Sequence, residues 1–299
     1  MNSRIVISGA SGLIGRAFTD SLRSDGIDVI WLVRRPAENP TEVEWHPGAH
    51  ELDPGVLDGA SAVVNLNGAS IGKLPWTKSY RETLLRSRVL PTRTLATALR
   101  ALGPGAPMFL SASAVGIYGS QPGLTLTEAS NPGDTFLAQL TARWEREALE
   151  AGPEVPVALL RTASILHPQA VLKPLIPLAR FGLLGPLGSG RQIWPWISLE
   201  DEVRAIRHIL QHRITGPVNL TGPEPASATT IGRHLARRMH RPFLVPAPAW
   251  ALRLGLGRTA ADSLLLADAR VQPRVLTKTG FSFTHATAAG AIDAALTDR

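Results

Sequence analysis

Ser113, Tyr118 and Glu128 lie within the stretch "SASAVGIYGSQPGLTLTEAS", and together they could act on a substrate hydroxyl or carbonyl. A serine can donate a hydrogen bond to the reacting oxygen, while a tyrosine or glutamate can deliver or remove its proton. Each also has a structural reading. Ser113 could satisfy backbone at a strand end, Tyr118 could pack with its hydroxyl on a main-chain group, and Glu128 could cap a turn or pair with an arginine. A second group could hold the substrate. "GSGRQIWPWIS" concentrates Arg191, Gln192, Trp194 and Trp196 after a glycine-rich turn, which suits a planar or sugar-like ligand with an anionic group, or else the packing of domains. "GKLPWTKS" adds Lys73 and Trp76 at the edge of the same cleft.

The sharper signal is "VISGASGLIGRAF". Here Gly9, Gly12 and Gly15 form a G-x-x-G-x-x-G run between an apolar strand and a helix, enclosing Ser11, Leu13 and Ile14. Gly9 would permit a tight turn, Gly12 a close approach of backbone N–H groups to a pyrophosphate, and Gly15 the packing of helix on strand. The second strand ends in "WLVRRP". At this edge a free ribose 2′-hydroxyl would call for Asp or Glu, whereas Arg34 and Arg35 suit a 2′-phosphate through charge-assisted hydrogen bonds. The expected cofactor is therefore NADP rather than NAD. Asn67 and Gly68 after the fourth strand, Ser111 and Ala112 on the fifth, and Thr162 after the sixth would complete its surround, with Thr162 either on the nicotinamide side or simply a strand-end residue.

These residues need a sheet to place them. "RIVISG", "DVIWLVRR", "SAVVNLNG", "PMFLSAS" and "VPVALLRTAS" are continuously apolar, and helix-length amphipathic segments begin near Leu13, Trp76 and Asp134. That alternation predicts an α/β fold of Rossmann type, a doubly wound parallel sheet covered on both faces. Residues 1–222 read as the NADP-binding domain, with an excursion at about 166–192 toward the substrate side. Residues 223–299 read as a small, mostly helical C-terminal lobe.

Composition narrows the classes. The chain has 299 residues, 44% hydrophobic content and no cysteine, which excludes disulfides, thiolate catalysis and Cys-ligated metal centres. The histidines show no metal-ligand spacing, so no metal is expected, and His46 falls nearer the adenine end than the nicotinamide. The first strand begins at Arg4 and no run approaches a membrane span, so a cytoplasmic protein without membrane contact is expected. The formal charge of +7 rests almost wholly on arginine. Arg233, Arg237 and Arg241 share one helical face without interleaved aromatics, which reads as a solvated face rather than a nucleic-acid patch.

With "GASGLIG", "SASAVGIYG", "SRVLPTRTL", "RWEREA", "PVNLTGPEP" and "VQPRVLTKTGFSF" in this order, the sequence resembles the extended short-chain dehydrogenase/reductase superfamily. Within it, the chain is similar to an atypical group named as NAD(P)-dependent nucleoside-sugar epimerases. One departure is "IWPWISLED", where Ser198 occupies the position of the group's histidine. The resemblance implies a dinucleotide-bound sheet and a short helical C-terminal domain.

Ordinary members of that superfamily use Tyr-x-x-x-Lys, but Tyr80 and Tyr118 are followed four residues on by Leu84 and Pro122. Aligning "RWEREA" with the superfamily puts Leu137 and Thr141 in the two slots. Losing acid–base assistance removes about 10² to 10⁴ in rate, or roughly 3 to 5.5 kcal/mol. Positioning of donor and acceptor can supply about 7 to 11 kcal/mol, so redox chemistry remains available. The expectation is an NADP-binding oxidoreductase or epimerase-like protein acting on a small molecule, with Ser113 and either Tyr118 or Glu128 at the substrate. The alternative is an NADP(H)-binding sensor or scaffold without turnover. Substrate and oligomeric state stay open.

Overall fold

The computed structural model describes residues 4–297. Its centre is a seven-stranded parallel sheet built from β1 (Arg4–Ser8), β2 (Asp28–Val33), β3 (Glu42–Glu44), β4 (Ala62–Asn65), β5 (Met108–Ala114), β6 (Val157–Thr162) and β7 (Gly216–Leu220). They lie in the order β7-β6-β5-β4-β1-β2-β3. The order reverses beside β1, which opens a crevice above its carboxyl end, where such sheets bind ligands.

Strand alternation divides the interior into two layers. Ile5, Ile7, Val64, Leu110 and Leu160 pack toward α1 (Leu13–Ser24) and α4 (Leu199–Gln211). Val6, Val63, Phe109 and Leu159 pack toward α2 (Lys78–Leu102) and α3 (Phe136–Leu149). Both faces are covered, so the strands read as unbroken apolar runs. The same parity fixes which way every polar residue on β5 and β6 points.

A third core joins the excursion after β6 to the helical C-terminal region. Leu172, Ile176, Trp194 and Trp196 share it with Leu235 of α5 (Ala228–Arg238) and Ile292 of α6 (Ala288–Thr297). Leu276 and Phe281 return to the α1/α4 layer, so the C-terminal region packs on the sheet as well. Among the described residues no helix is long and apolar enough to cross a membrane.

Four of the longer helices start on a side-chain cap, and α1 does not. Thr77, Thr135, Ser198 and Ser227 each accept a hydrogen bond from the first-turn amide of α2, α3, α4 and α5. The N-cap of α1 is Gly12, with no side-chain cap. Its first-turn N–H groups therefore keep their capacity for an external acceptor.

Candidate functional site

The uncapped end of α1 opens on a cleft of about 1020 Å³ that runs from Gly9 and Gly12 past the end of β2 to the loop after β4. Gly9 has φ +78°, and a Cβ there would stand 2.6 Å from the Leu66 carbonyl carbon. A Cβ at Gly15 would press on the Ala10 Cα at 2.7 Å. Gly12 differs, since a Cβ would meet only the Gly9 oxygen at 3.3 Å. Two of the three glycines are therefore required by the fold, while the third leaves room beside the free amides. Ser11 is exposed at the same turn, whereas Leu13 and Ile14 turn their side chains to the core and have backbone N–H groups to offer.

The two arginines after β2 are not equivalent. Arg35 makes a bidentate pair with Glu42, with both N–O distances 2.8 Å, and this bond holds the Glu42 carboxyl below its ordinary range. Arg34 is exposed on the cleft wall and has no ion pair or hydrogen bond among the described residues. The register that sets Trp31 opposite Glu42 brings the carboxylate within reach of Arg35.

At the end of β4, buried Asn65 accepts from Ser8 at 3.0 Å and from the Asn67 side chain at 2.9 Å, and donates to Thr92 at 2.7 Å. This fixes Asn67 and Gly68 on the cleft wall. Behind them Arg88 donates to the Leu84 and Ala69 carbonyls and lies 5.3 Å over the Trp144 ring. Burial lowers its pKa to about 10.

Ser113, Tyr118 and Glu128 take structural places, which corrects the expectation that they face substrate. Ser113 shares parity with Phe109, so it points into the α2/α3 layer and donates to Glu145 at 2.5 Å. Arg161 grips both oxygens of Glu145, at 2.8 and 2.9 Å, and donates to the Tyr118 hydroxyl at 2.9 Å. That hydroxyl donates in turn to Asn219 at 2.7 Å. Tyr118 is 0% exposed, and burial pushes its phenol above the ordinary value against the pull of Arg161. Glu128 accepts from the Asn219 and Val275 amides, tying β7 to the C-terminal region. The network is a buried lock between sheet, α3 and lobe. Ser111, of the same parity, is buried too.

The opposite face of the β5 and β6 ends carries Ala112, Ala114 and Thr162, with Ala114 paired to Thr162 in register. Thr162 is half-buried and hydrogen-bonds through its Oγ1 to Glu202 Oε1 at 2.7 Å. Glu202 lies in the first turn of α4 and is 0% exposed, and its Oε2 has no hydrogen-bond partner among the described residues. Burial raises its pKa to about 8, with the Thr162 bond opposing. Sequence reading passed over Glu202, because "LEDEV" looks like an acidic first turn facing solvent.

A pH dependence follows. Between the ordinary carboxyl value near 4.5 and about 8, the folded chain holds a proton on Glu202 that the unfolded chain has released. Its contribution is fully present below about pH 4.5 and is lost as pH rises through about 8, at up to about 1.4 kcal/mol per pH unit. Urea midpoints measured across this window should fall with pH in the wild type and flatten in Glu202→Gln.

The residues expected to hold substrate divide as well. Gln192 donates to the Leu187 and Leu265 carbonyls, Trp194 to Leu265 and Trp196 to Glu224, and all three are buried. They pin the C-terminal region to the excursion. Trp76 is buried against Phe136 and donates to the Ile71 carbonyl. Lys73, over the Tyr80 ring, and Arg191 remain exposed.

A parallel sheet with this strand order, a glycine turn against an uncapped helix and a cleft at the switch point define a Rossmann-type nucleotide-binding protein of the short-chain dehydrogenase/reductase class. The chain belongs to the NAD dependent epimerase/dehydratase family, whose model matches residues 5–221. A domain of unknown function, DUF1731, matches residues 247–295. The "Epimerase family protein Mb2239" of Mycobacterium bovis is 39% identical over 99% of this chain and 98% of its own length. Human epimerase family protein SDR39U1 (isoform 2), solved with NADPH, superposes with a TM-score of 0.89 at 26% identity, covering 99% of this chain and all of that one. A nucleoside-diphosphate sugar epimerase from Corynebacterium glutamicum is 31% identical, with a TM-score of 0.80 over 99% of this chain and 58% of that one.

Proposed function

We propose that this protein binds NADP(H) in preference to NAD(H) and uses it for oxidoreduction of a small molecule at the carboxyl edge of the sheet. The observation that carries the reading is the guanidinium of Arg34, without a partner among the described residues, on the cleft wall beside the uncapped start of α1. The glycine turn offers backbone N–H groups to a pyrophosphate. Arg34 offers a cation to the 2′-phosphate, while Arg35 holds the β2–β3 edge through Glu42. The NADPH found in the human relative supports the same choice.

When bound, the dinucleotide supplies or accepts a hydride at a substrate carbon. The chain's own part would be to hold the dinucleotide between the glycine turn and the wall that includes Asn67 and Gly68, and to manage one proton. Ser113 and Tyr118 are locked in the Arg161 network, so that proton has to come from elsewhere. A screen of enones, aldehydes and nucleotide sugars for NADPH oxidation tests the enzymatic reading. The sensor reading is favoured by Leu137 and Thr141 in the tyrosine and lysine slots, and tight cofactor binding with no turnover across the screen would establish it.

Arg34→Ala should weaken NADPH binding about 10- to 100-fold, the loss of one charge-assisted contact, and leave NADH binding unchanged. Arg35→Ala should instead loosen the β3 edge and change the two affinities together. Parallel fluorescence titrations of the two variants measure both.

A further inference from the structure

We propose that Thr162 and Glu202 form the proton-delivery pair of this site, with Thr162 donating to the substrate oxygen and Glu202 restoring the Thr162 proton from behind. The inference rests on the oxidoreductase reading above and supplies the donor that Ser113 and Tyr118 do not.

The geometry starts from an orphan atom. A buried polar atom without a partner is rare and calls for an explanation, and a buried carboxylate without a cation is costlier still. Glu202 Oε2 is such an atom. Several charged groups nearby have partners of their own. Asp201 accepts from the Thr284 and His285 amides and pairs with Arg204, and the Glu200 side chain accepts from Thr284. Arg207 on α4 pairs with Asp25, just past α1. On β6, Arg161 points through the opposite face of the sheet to Glu145. Among the described residues nothing ionic meets Glu202.

The least costly arrangement is a neutral acid whose proton sits on Oε1 and points at Thr162, because an unpaired carbonyl oxygen at Oε2 is cheaper to bury than an unpaired anion. Burial favours the same state, with the group titrating at about 8. In that neutral state the 2.7 Å bond, in which Thr162 donates to the carboxylate, reverses: Thr162 Oγ1 accepts from Glu202 and its own proton is freed. Its one other acceptor is the Leu160 carbonyl at 3.4 Å, too long for a strong bond. Thr162 is the last residue of β6, at the carboxyl end of the sheet, and pairs in register with Ala114 of β5.

In the reducing direction the balance is complete. The bound dinucleotide would supply the hydride to a carbonyl carbon, whose π pair would move to oxygen. That oxygen takes the Thr162 proton, the Thr162 oxygen takes the Glu202 proton, and the Glu202 carboxylate is later reprotonated from solvent. The reverse sequence oxidises an alcohol. A neutral acid kept near the working pH matches the requirement for an efficient general acid.

The test uses the full chain and two probes, NADP⁺ and NADPH, and does not depend on finding the substrate. Infrared difference spectra of wild type against Glu202→Gln at neutral pH should show a protonated-carboxyl stretch that Glu202→Gln removes and Thr162→Val shifts. Calorimetry near pH 8, in buffers of different ionisation heat, should show that NADP⁺ releases a larger fraction of a proton than NADPH, since a cationic ring favours the carboxylate. Glu202→Gln should abolish that difference while still binding both cofactors. Absence of the carboxyl band, equal proton release by the two cofactors, or a difference that survives in Glu202→Gln overturns the pair. Failure of either cofactor to bind contradicts the function proposed above, and this pair with it, and is read separately from proton release.

Discussion

Gly15→Val should abolish dinucleotide binding, reducing affinity by at least about 100-fold, the loss of roughly two charge-assisted hydrogen bonds at about 1.5–3 kcal/mol each. A side chain at this position presses on the Ala10 backbone, and backbone cannot rotate aside. Relief has to come from lifting α1 off β1, which moves the free amides from the phosphate position. Phe18 and Leu22 anchor α1 in the core, so lifting the helix also loosens packing and should lower the denaturation midpoint. Gly12→Ala is the informative control. Its Cβ would meet the Gly9 oxygen at 3.3 Å, a tight contact relieved by a shift of a few tenths of an ångström, so the chain should lose far less stability than Gly15→Val. The added methyl nevertheless fills space beside the amides, and titration should show weaker NADPH binding. Destabilisation of both variants in equal measure would contradict the division between glycines that build the turn and the glycine that leaves room.

Arg161→Met should destabilise the fold by about 3–5 kcal/mol, the usual consequence of removing one partner of a buried ion pair. Glu145 would keep only the Ser113 hydroxyl for its charge, and the Tyr118 oxygen and the Glu128 carbonyl would each lose a donor. Removing both charges in Arg161→Met with Glu145→Leu should recover most of the loss, because no uncompensated ion is then buried. Tyr118→Phe is milder, since it leaves Asn219 and Arg161 each short of one partner, and about 1–3 kcal/mol is expected. Urea denaturation of the four proteins measures the series. A structural lock predicts that NADPH affinity of the folded variants stays close to wild type. A large loss of affinity in stably folded Tyr118→Phe would return Tyr118 to the site.

How much of this could be read from the sequence depends on the distance over which each feature is decided. The sheet was legible because a strand buried on both faces must be apolar throughout, and the phosphate turn because Gly9, Gly12 and Gly15 sit between a strand and a helix. Arg34 and Arg35 were legible as a pair of cations. Which one is free depends on the β2–β3 register that delivers Glu42 to Arg35. The direction of Ser113 was within reach, because it shares parity with Phe109, but only once the α2/α3 layer is known to hold a carboxylate. Tyr118 was not legible, since its partners Arg161 and Asn219 lie 43 and 101 residues away. Glu202 was hidden for another reason: an acidic first turn normally faces water, and here two of its three acids, Asp201 and Glu202, are buried. Trp194 and Trp196 show the converse, for aromatic residues near glycines serve domain packing as readily as a ligand.

The central claim is that the cleft selects the 2′-phosphate through Arg34, and equilibrium titration of the wild-type protein with NADPH and NADH under identical salt tests it most directly. The account predicts NADPH binding tighter by about 10-fold or more, with the margin shrinking as salt rises because an exposed guanidinium carries it. Equal affinities, or tighter binding of NADH, would contradict it.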